Sequence, residues 1–444
     1  MIYSGHCIAV TSQPAGRLPA NGLGTERENM TPQQTGGSAG HSNGRSVNPI
    51  AWRIAQMNER VRSAKEQDLY LYLQPADAVN GAYVTINGRK MLQFASYAYL
   101  NLLGHPRITA AARAALEEFG SGTHGVRVLA GTTRLHVELE QKIARFKHAE
   151  EAMVLSSGYV TNLGTIAALL GRNDVVISDK LNHASIVDGC LLSRSKFVRF
   201  EHNDMEALEK ALGSAPKRSG KLVVVDAVFS MDGDVINLPE VVRLCRKYDA
   251  MLMVDEAHSV GVLGETGHGI LEHFGMDEDS IDIKMGTLSK TIPAVGGYIA
   301  GNSDLITYLK HSTRAFIFSA ALPPAAAAAA KASFEVIESE PERIQTLRGN
   351  VRYFINGLQE RGFNTLNSET PIVPIIAGDD ERAWMMAKLS QDQDIFVLPV
   401  VSPAVPAGTS RLRANVTAAH SLDEIEHAMD VFEVAGKSVG VLPA

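Results

Sequence analysis

The chain has 444 residues and only 3 cysteines, Cys7, Cys190 and Cys245, far apart and without metal-ligand spacing. That excludes a disulfide framework and a cysteine-based metal site, and predicts reduced thiols in a cytoplasmic protein. Positive charge is also short: 42 Lys and Arg against 49 Asp and Glu leave a net charge of −7. A chain of that sign is a poor match for nucleic acid or an anionic membrane surface. Apolar runs are short as well. The alanine block at 325–330 is cut by Lys331 and follows Pro323-Pro324, as a helix start in a water-soluble protein would, so no transmembrane segment is read. The first residues lack a basic stretch followed by an apolar one, so no secretory leader is read either.

What is present is ordinary for a globular enzyme, with 45% hydrophobic and 20% charged residues. The length exceeds what one hydrophobic core serves, which predicts a large domain and a smaller one. Residues 1–48 are rich in Gly, Ser, Gln, Asn and Thr without periodicity, and read as a disordered extension. Residues 49–104 read as a polar helix over Trp52–Gln67, then a hairpin of Tyr83–Ile86 and Lys90–Phe94 around Asn87-Gly88.

From 105 to 322 two patterns alternate. Helical spacing occupies Pro106–Phe119, Leu135–Phe146, Thr161–Leu170 and Leu238–Tyr248. Short apolar runs occupy Ala152–Leu155, Val175–Ser178, Phe197–Phe200, Leu222–Asp226, Met251–Asp255, Ile283–Gly286 and Gly297–Ala300. Such alternation predicts βαβ units and an α/β fold with a mostly parallel, seven-stranded sheet. From 323 to 444 a long helix, a hairpin-like stretch and a terminal helix predict a smaller α+β domain.

The chemistry centres on Asp255 and Lys290. The strand MLMVDEAH delivers Asp255 and His258 at its C-terminal end, and a second strand-like run ends at Lys290, beside Thr287 and Ser289. An acid after one strand and a lysine after another can hold pyridoxal 5′-phosphate: the amine condenses with its aldehyde, and the carboxylate keeps its ring nitrogen protonated. Two other motif readings fail on context. Asp255-Glu256-Ala257-His258 is also a helicase box, but the nearest candidate phosphate loop, at Gly220-Lys221, lacks its leading glycine and runs into Leu222. The G-x-G-x-x-G at Gly120–Gly125 follows a helix rather than a strand, so Gly120 reads as a helix C-cap.

Other residues take the places such a site requires. Ser156-Ser157-Gly158-Tyr159 follows a strand and opens a helix, where backbone N–H groups bind phosphate. His183 follows another strand and can lie flat on the pyridine ring, and Ser230 and His258 can reach the ring hydroxyl. Arg411-Leu412-Arg413 offers a guanidinium fork for a substrate carboxylate.

These segments resemble the α-oxoamine synthases, a family of fold-type-I pyridoxal phosphate enzymes. The resemblance runs from about Leu92 to His420 and includes GSGTHGVRVLAGTTRLHVELE, SGY, HAS, VFSMDGD, VDEAHSVGVLG, GTLSK, FSAALPP and RLR…TAAH. It implies that Lys290 carries the cofactor, Asp255 pairs the ring nitrogen and His183 stacks on the ring. Gly158 and Tyr159 would help hold the cofactor, with Thr287 on the phosphate, and Ser319 would reach the phosphate of the partner subunit in a homodimer with shared active sites. Arg413 would take the amino-acid carboxylate and Thr417 would line the acyl side. The implied reaction is the decarboxylating condensation of glycine, alanine or serine with an acyl thioester of coenzyme A or an acyl carrier protein, giving an α-aminoketone.

Departures from the family pattern bear on the substrate. The S-N-D-Y-L-G signature stands here as Ser96-Tyr97-Ala98-Tyr99-Leu100-Asn101. Tyr97 resembles the serine palmitoyltransferase branch, although Ala98 departs from it. Val401 stands where many members have arginine, and Leu71 falls near the position of an arginine found in pimeloyl-using members. These differences favour a long or hydrophobic acyl chain. The alternatives are an activity of the 8-amino-7-oxononanoate synthase or 2-amino-3-ketobutyrate ligase type within the family, or an aminotransferase or carbon–carbon lyase of the same fold; a catalytically dead regulatory subunit would lack Lys290.

Overall fold

The computed structural model describes residues 48–443. The expected disordered extension lies outside them except for Asn48, and so does Cys7. The chain divides into two compact units, whose described parts are 48–71 and 72–443. The first is a single helix, Pro49–Glu66, started by a proline and capped by Asn48, whose side chain accepts from Ile50 N–H at 2.9 Å.

The second unit holds fourteen strands in three sheets. They are β1 (Ala78–Asn80), β2 (Tyr83–Ile86), β3 (Arg89–Gln93), β4 (Glu151–Leu155), β5 (Val175–Asp179), β6 (Lys196–Phe200) and β7 (Lys221–Asp226). Then follow β8 (Met251–Asp255), β9 (Ile283–Ser289), β10 (Pro293–Gly301), β11 (Ile372–Gly378), β12 (Ile395–Phe396), β13 (Pro399–Val400) and β14 (Ser410–Asn415).

The largest sheet has seven strands in the order β4-β10-β9-β8-β7-β5-β6. Its centre is parallel, with Asp226 and Asp255 directly paired at the ends of β7 and β8. Strands β5 and β7 to β9 are buried through most of their length because helices cover both faces, and Met153, Ile166, Val176, Val224, Met253 and Ile299 pack one such core. β10 runs antiparallel to both β4 and β9. Its link from β9 is only Lys290–Ile292, too short for a crossover, so the chain must turn straight back.

A four-stranded sheet, β1-β2-β3-β12, builds on the expected hairpin, and its edge β12 comes from the C-terminal part of the chain. A three-stranded antiparallel sheet, β11-β14-β13, places Arg411 and Arg413 on its central strand. Gly120 ends the helix Pro106–Phe119 at φ +77°, a C-terminal cap and not a dinucleotide turn. No helix of the described residues is long and apolar enough to cross a membrane.

Candidate active site

The parallel strands end at one cavity of about 250 Å³. Asp255, the last residue of β8, accepts from its own chain at Ala257 N–H (2.9 Å) and from Asn162 Nδ2 (2.6 Å). Asn162 sits in the helix Gly158–Leu169 and also donates to Ser185 Oγ at 3.0 Å, so the carboxylate is fixed by a second helix. Beside it Asp226 accepts from His183 N–H at 3.0 Å, while its Oδ1 is buried with no partner among the described residues. Burial, then the nearby Asp255 charge, raises the Asp226 pKa well above the usual carboxylate value.

Lys290 follows β9, and its Nζ lies 2.8 Å from His258 Nε2. Burial brings its pKa down to about 8; Asp255 opposes the shift and Arg413 adds to it. About a tenth of the amine is therefore unprotonated and nucleophilic at pH 7, far more than for an ordinary lysine. His258 is itself buried, and burial followed by the Lys290 and Arg413 cations drives its pKa well below the usual imidazole value. His183 caps the helix Ala184–Ser193, its Nδ1 accepting from Ser185 N–H at 3.2 Å; burial lowers its pKa as well. Both imidazoles are neutral.

The other end of the cavity is the start of the helix Gly158–Leu169. Ser157 caps it by accepting from Val160 N–H at 3.2 Å, and the N–H groups of its first turn have no helical partner. A Cβ at Gly158 would stand 2.9 Å from Thr287 Oγ1, so only glycine lets this turn approach β9 so closely. Thr287 and Ser289 hydroxyls lie 2.9 Å apart at the same place. Tyr159 donates its hydroxyl to Asp188, which raises its pKa to about 12.

On the opposite flank stands Tyr97, with Lys290 Nζ 5.9 Å and Arg413 Cζ 5.0 Å from its ring centroid. Arg413 donates to the Ser230 carbonyl at 2.6 Å and to Asn415 Oδ1 at 3.0 Å. Arg411, two residues away on the same face of β14, is already taken by Asp232 and the Thr409 carbonyl. Only one arginine of the expected fork is turned to the site.

Lys290, Asp255, His183, His258, Gly158, Tyr159, Ser230, Thr287 and Ser289 all line this cavity. Tyr97 and Arg413 adjoin it. Thr417 does not line it; its hydroxyl pairs with His420 Nδ1 at 3.0 Å in a buried turn. Ser319 is also absent from the lining, and it does not cap the next helix, whose N-cap is Pro323. The sequence reading missed Asn162, Ser185 and Tyr99. Asn162 carried one usable signal, a polar side chain one turn into the helix opened by Gly158.

These residues fit pyridoxal phosphate. A buried amine can meet its aldehyde, a twice-anchored carboxylate its ring nitrogen, and a helix start that a Cβ would obstruct its phosphate.

The family model of aminotransferase class I and II matches residues 89–432. The chain is 43% identical over 385 residues to the serine palmitoyltransferase of Sphingobacterium spiritivorum, covering 87% of this chain and 96% of that protein. It is 42% identical over 386 residues to the 8-amino-7-oxononanoate synthase of Bacillus pumilus (strain SAFR-032), covering 87% and 98%. Among solved structures, a serine palmitoyltransferase variant from S. paucimobilis with a bound PLP–myriocin aldimine aligns with a TM-score of 0.86 at 36% identity, over 89% of this chain and 100% of that one.

Proposed function

The chain belongs to the α-oxoamine synthases, within the aminotransferase class I and II family, and on that basis we propose that it condenses a small amino acid with an acyl thioester. The observation that carries the reading is the Lys290 amine in one cavity with Asp255 and His183, with Arg413 across the Tyr97 ring. When bound, pyridoxal phosphate supplies an electron-accepting ring to the substrate's α-carbon.

The chain's own residues do the rest. Asp255, held by Asn162 and Ala257, would pair the ring nitrogen with a carboxylate that cannot swing away. Neutral His183 would lie against the ring face of the bound cofactor, and Ser230 and His258 would hold its hydroxyl. Gly158, Tyr159, Thr287 and Ser289 would hold its phosphate. Arg413 binds the amino-acid carboxylate, and Lys290 removes the α-proton. The α-carbon then forms a bond to the thioester carbonyl carbon, the thiol leaves, and loss of carbon dioxide gives the α-aminoketone.

Tyr97 and the absence of arginine at Val401 favour a long acyl chain on coenzyme A or an acyl carrier protein, in the manner of a serine palmitoyltransferase. The similarity to 8-amino-7-oxononanoate synthases favours the second reading, a shorter carboxylated chain. A panel of glycine, alanine and serine against acyl thioesters of different length, with mass detection of the aminoketone, decides between them. Amino-group exchange or aldol cleavage without any thioester would overturn both readings.

We assign residues 49–104 to an N-terminal segment, 105–322 to the cofactor-binding domain and 323–444 to the small domain. The free, buried thiols of Cys190 and Cys245 support a cytoplasmic setting. The functional unit is a homodimer in which Ser319 serves the partner's phosphate. Its neighbour Phe318 is 72% exposed, as an interface aromatic would be in the isolated chain. Mixing Lys290→Ala with a Ser319→Asp variant that is inactive alone should restore activity through subunit exchange. A fully active monomer by sedimentation would end this assignment.

A further inference from the structure

We propose that His202 is a positioning residue: it clasps the loop Val228–Val235 to the end of β5 and so fixes the Ser230 carbonyl on which Arg413 rests. The carboxylate-binding role of Arg413 is that of the function proposed above, and the role of His202 rests on it. His202 stands two residues after β6 and does not line the cavity. Its Nδ1 lies 3.1 Å from Asp179 Oδ1 at the end of β5, and its Nε2 lies 2.9 Å from Asp234 Oδ2 in the loop. The ring also meets Phe229 edge-on, with centroids 4.3 Å apart. Val228 and Val235 are bridged, and Phe229 N–H donates to the Asp234 carbonyl at 3.1 Å, so His202 grips both limbs of the loop. Next to Phe229, the Ser230 carbonyl accepts from Arg413 Nε at 2.6 Å, and Asp232 pairs with Arg411.

The fixed side of the clasp is Asp179, which is 1% exposed. Its two oxygens also accept from the N–H groups of Leu181 and Asn203, each at 2.8 Å. Both imidazole nitrogens of His202 face carboxylate oxygens, which accept and do not donate when ionised, so both nitrogens donate. Burial opposes the resulting charge, but the hydrogen bonds to Asp179 and Asp234 prevail and raise the His202 pKa to about 10. Asp232 offers a third carboxylate within 4.8 Å of His202 and Asp234, and Arg411 balances it. Asn203 and Thr370 hold the same loop separately, at the carbonyls of Val235 (3.1 Å) and Gly233 (2.9 Å). Without His202 the loop therefore keeps its fold and loses its grip beside Ser230. A guanidinium fork binds a carboxylate in one geometry, and a shift of its support weakens that binding.

The test uses the full-length holoenzyme. Its dissociation constants for glycine, alanine and serine are compared with those for methylamine, ethylamine and ethanolamine, which lack only the carboxylate. Wild type is expected to favour at least one amino acid over its amine. His202→Gln is expected to reduce that preference about tenfold, through the amino acid alone, as a residue does when it modulates a site it does not touch. An unchanged preference, or equal weakening of amino acid and amine, overturns the proposal, even where the denaturation midpoint falls as it would for a merely structural residue. If His202→Gln fails to fold, Asp234→Asn replaces it, keeping the shape and removing the charge at one end of the clasp. The preference is then expected to fall by about threefold, and an unchanged one overturns the proposal. A second readout is 15N-labelled histidine at about pH 8, well below the His202 pKa. The signal missing from His202→Gln is expected to show hydrogen on both nitrogens; hydrogen on one alone leaves a bridge unmade and overturns the clasp. Failure of the functional reading looks different: wild type itself would favour no amino acid over its amine, and the role of His202 falls with it.

Discussion

Aspartates stand at both ends of the large sheet, and the two ends use them in opposite ways. Where the parallel strands begin, Asp174 accepts from the N–H groups of Gly171 (2.8 Å) and Gly220 (3.0 Å), and Asp282 accepts from Leu252 (2.7 Å). A cavity of about 390 Å³ opens there, lined also by Lys221 and Met251. Where the strands stop, Asp226 and Asp255 face the smaller cavity of about 250 Å³, and one Asp226 oxygen is buried without a partner among the described residues. Size therefore does not mark the site. Carboxylates consumed by backbone N–H groups close loops, whereas the other end keeps a buried open oxygen beside a lysine of lowered pKa and two neutral imidazoles. In an open parallel sheet that end is also where the loops diverge and leave room for a ligand.

The contrast is sharpest at Lys290. The purified protein is expected to be yellow, and Lys290→Ala should abolish that visible absorption and take aminoketone formation below detection by mass; normal turnover would remove the basis of the comparison. Asp255→Asn comes next. It keeps the hydrogen-bonding shape and loses the charge, so exchange of the amino acid's α-proton, followed by deuterium incorporation, should fall about 10²–10³-fold, as when one aligned electrostatic partner is removed.

A smaller effect is expected at Arg413→Lys, which keeps the charge but not the fork. Loss of one charge-assisted hydrogen bond of about 1.5–3 kcal/mol corresponds to a rise in KM for the amino acid of about 10- to 160-fold, with kcat much less affected. The smallest catalytic effect belongs to the opposite end of the sheet. Asp174→Ala leaves two backbone N–H groups without their acceptor and should cost about 1–3 kcal/mol in a denaturant titration while kcat/KM stays within about twofold. A large loss of activity there would break the comparison.

Much of the site could be read from the sequence because its residues cluster after apolar runs. Asp255 closes MLMVD, Lys290 follows the run that begins at Ile283, and Gly158 follows EAMVL, so locating the strands located the chemistry. Asn162 and Tyr99 were not legible in this way. Asn162 lies in an apolar helix where a polar side chain carries no periodic signal, and its partner Asp255 is remote in sequence. Tyr99 meets His258 across 159 residues of chain, and the turn that carries it is tied to β14 through Asn415 N–H to the Phe94 carbonyl at 2.7 Å.

The sequence by itself determined the alternation of strands and helices, the strand ends that carry Asp226, Asp255 and Lys290, and the glycine that opens a phosphate-sized turn. These follow from local rules: apolar runs make buried strands, and side-chain chemistry at their ends is fixed residue by residue. Only the tertiary structure decided which arginine of Arg411-Leu412-Arg413 serves the site. Both point to the same side of β14, but Asp232 claims the first and leaves the second beside Tyr97. It also decided the direction of the pKa shifts, upward at Asp226 and downward at His258 and Lys290, since a pKa depends on burial and on charges brought together from distant parts of the chain, which no local pattern records.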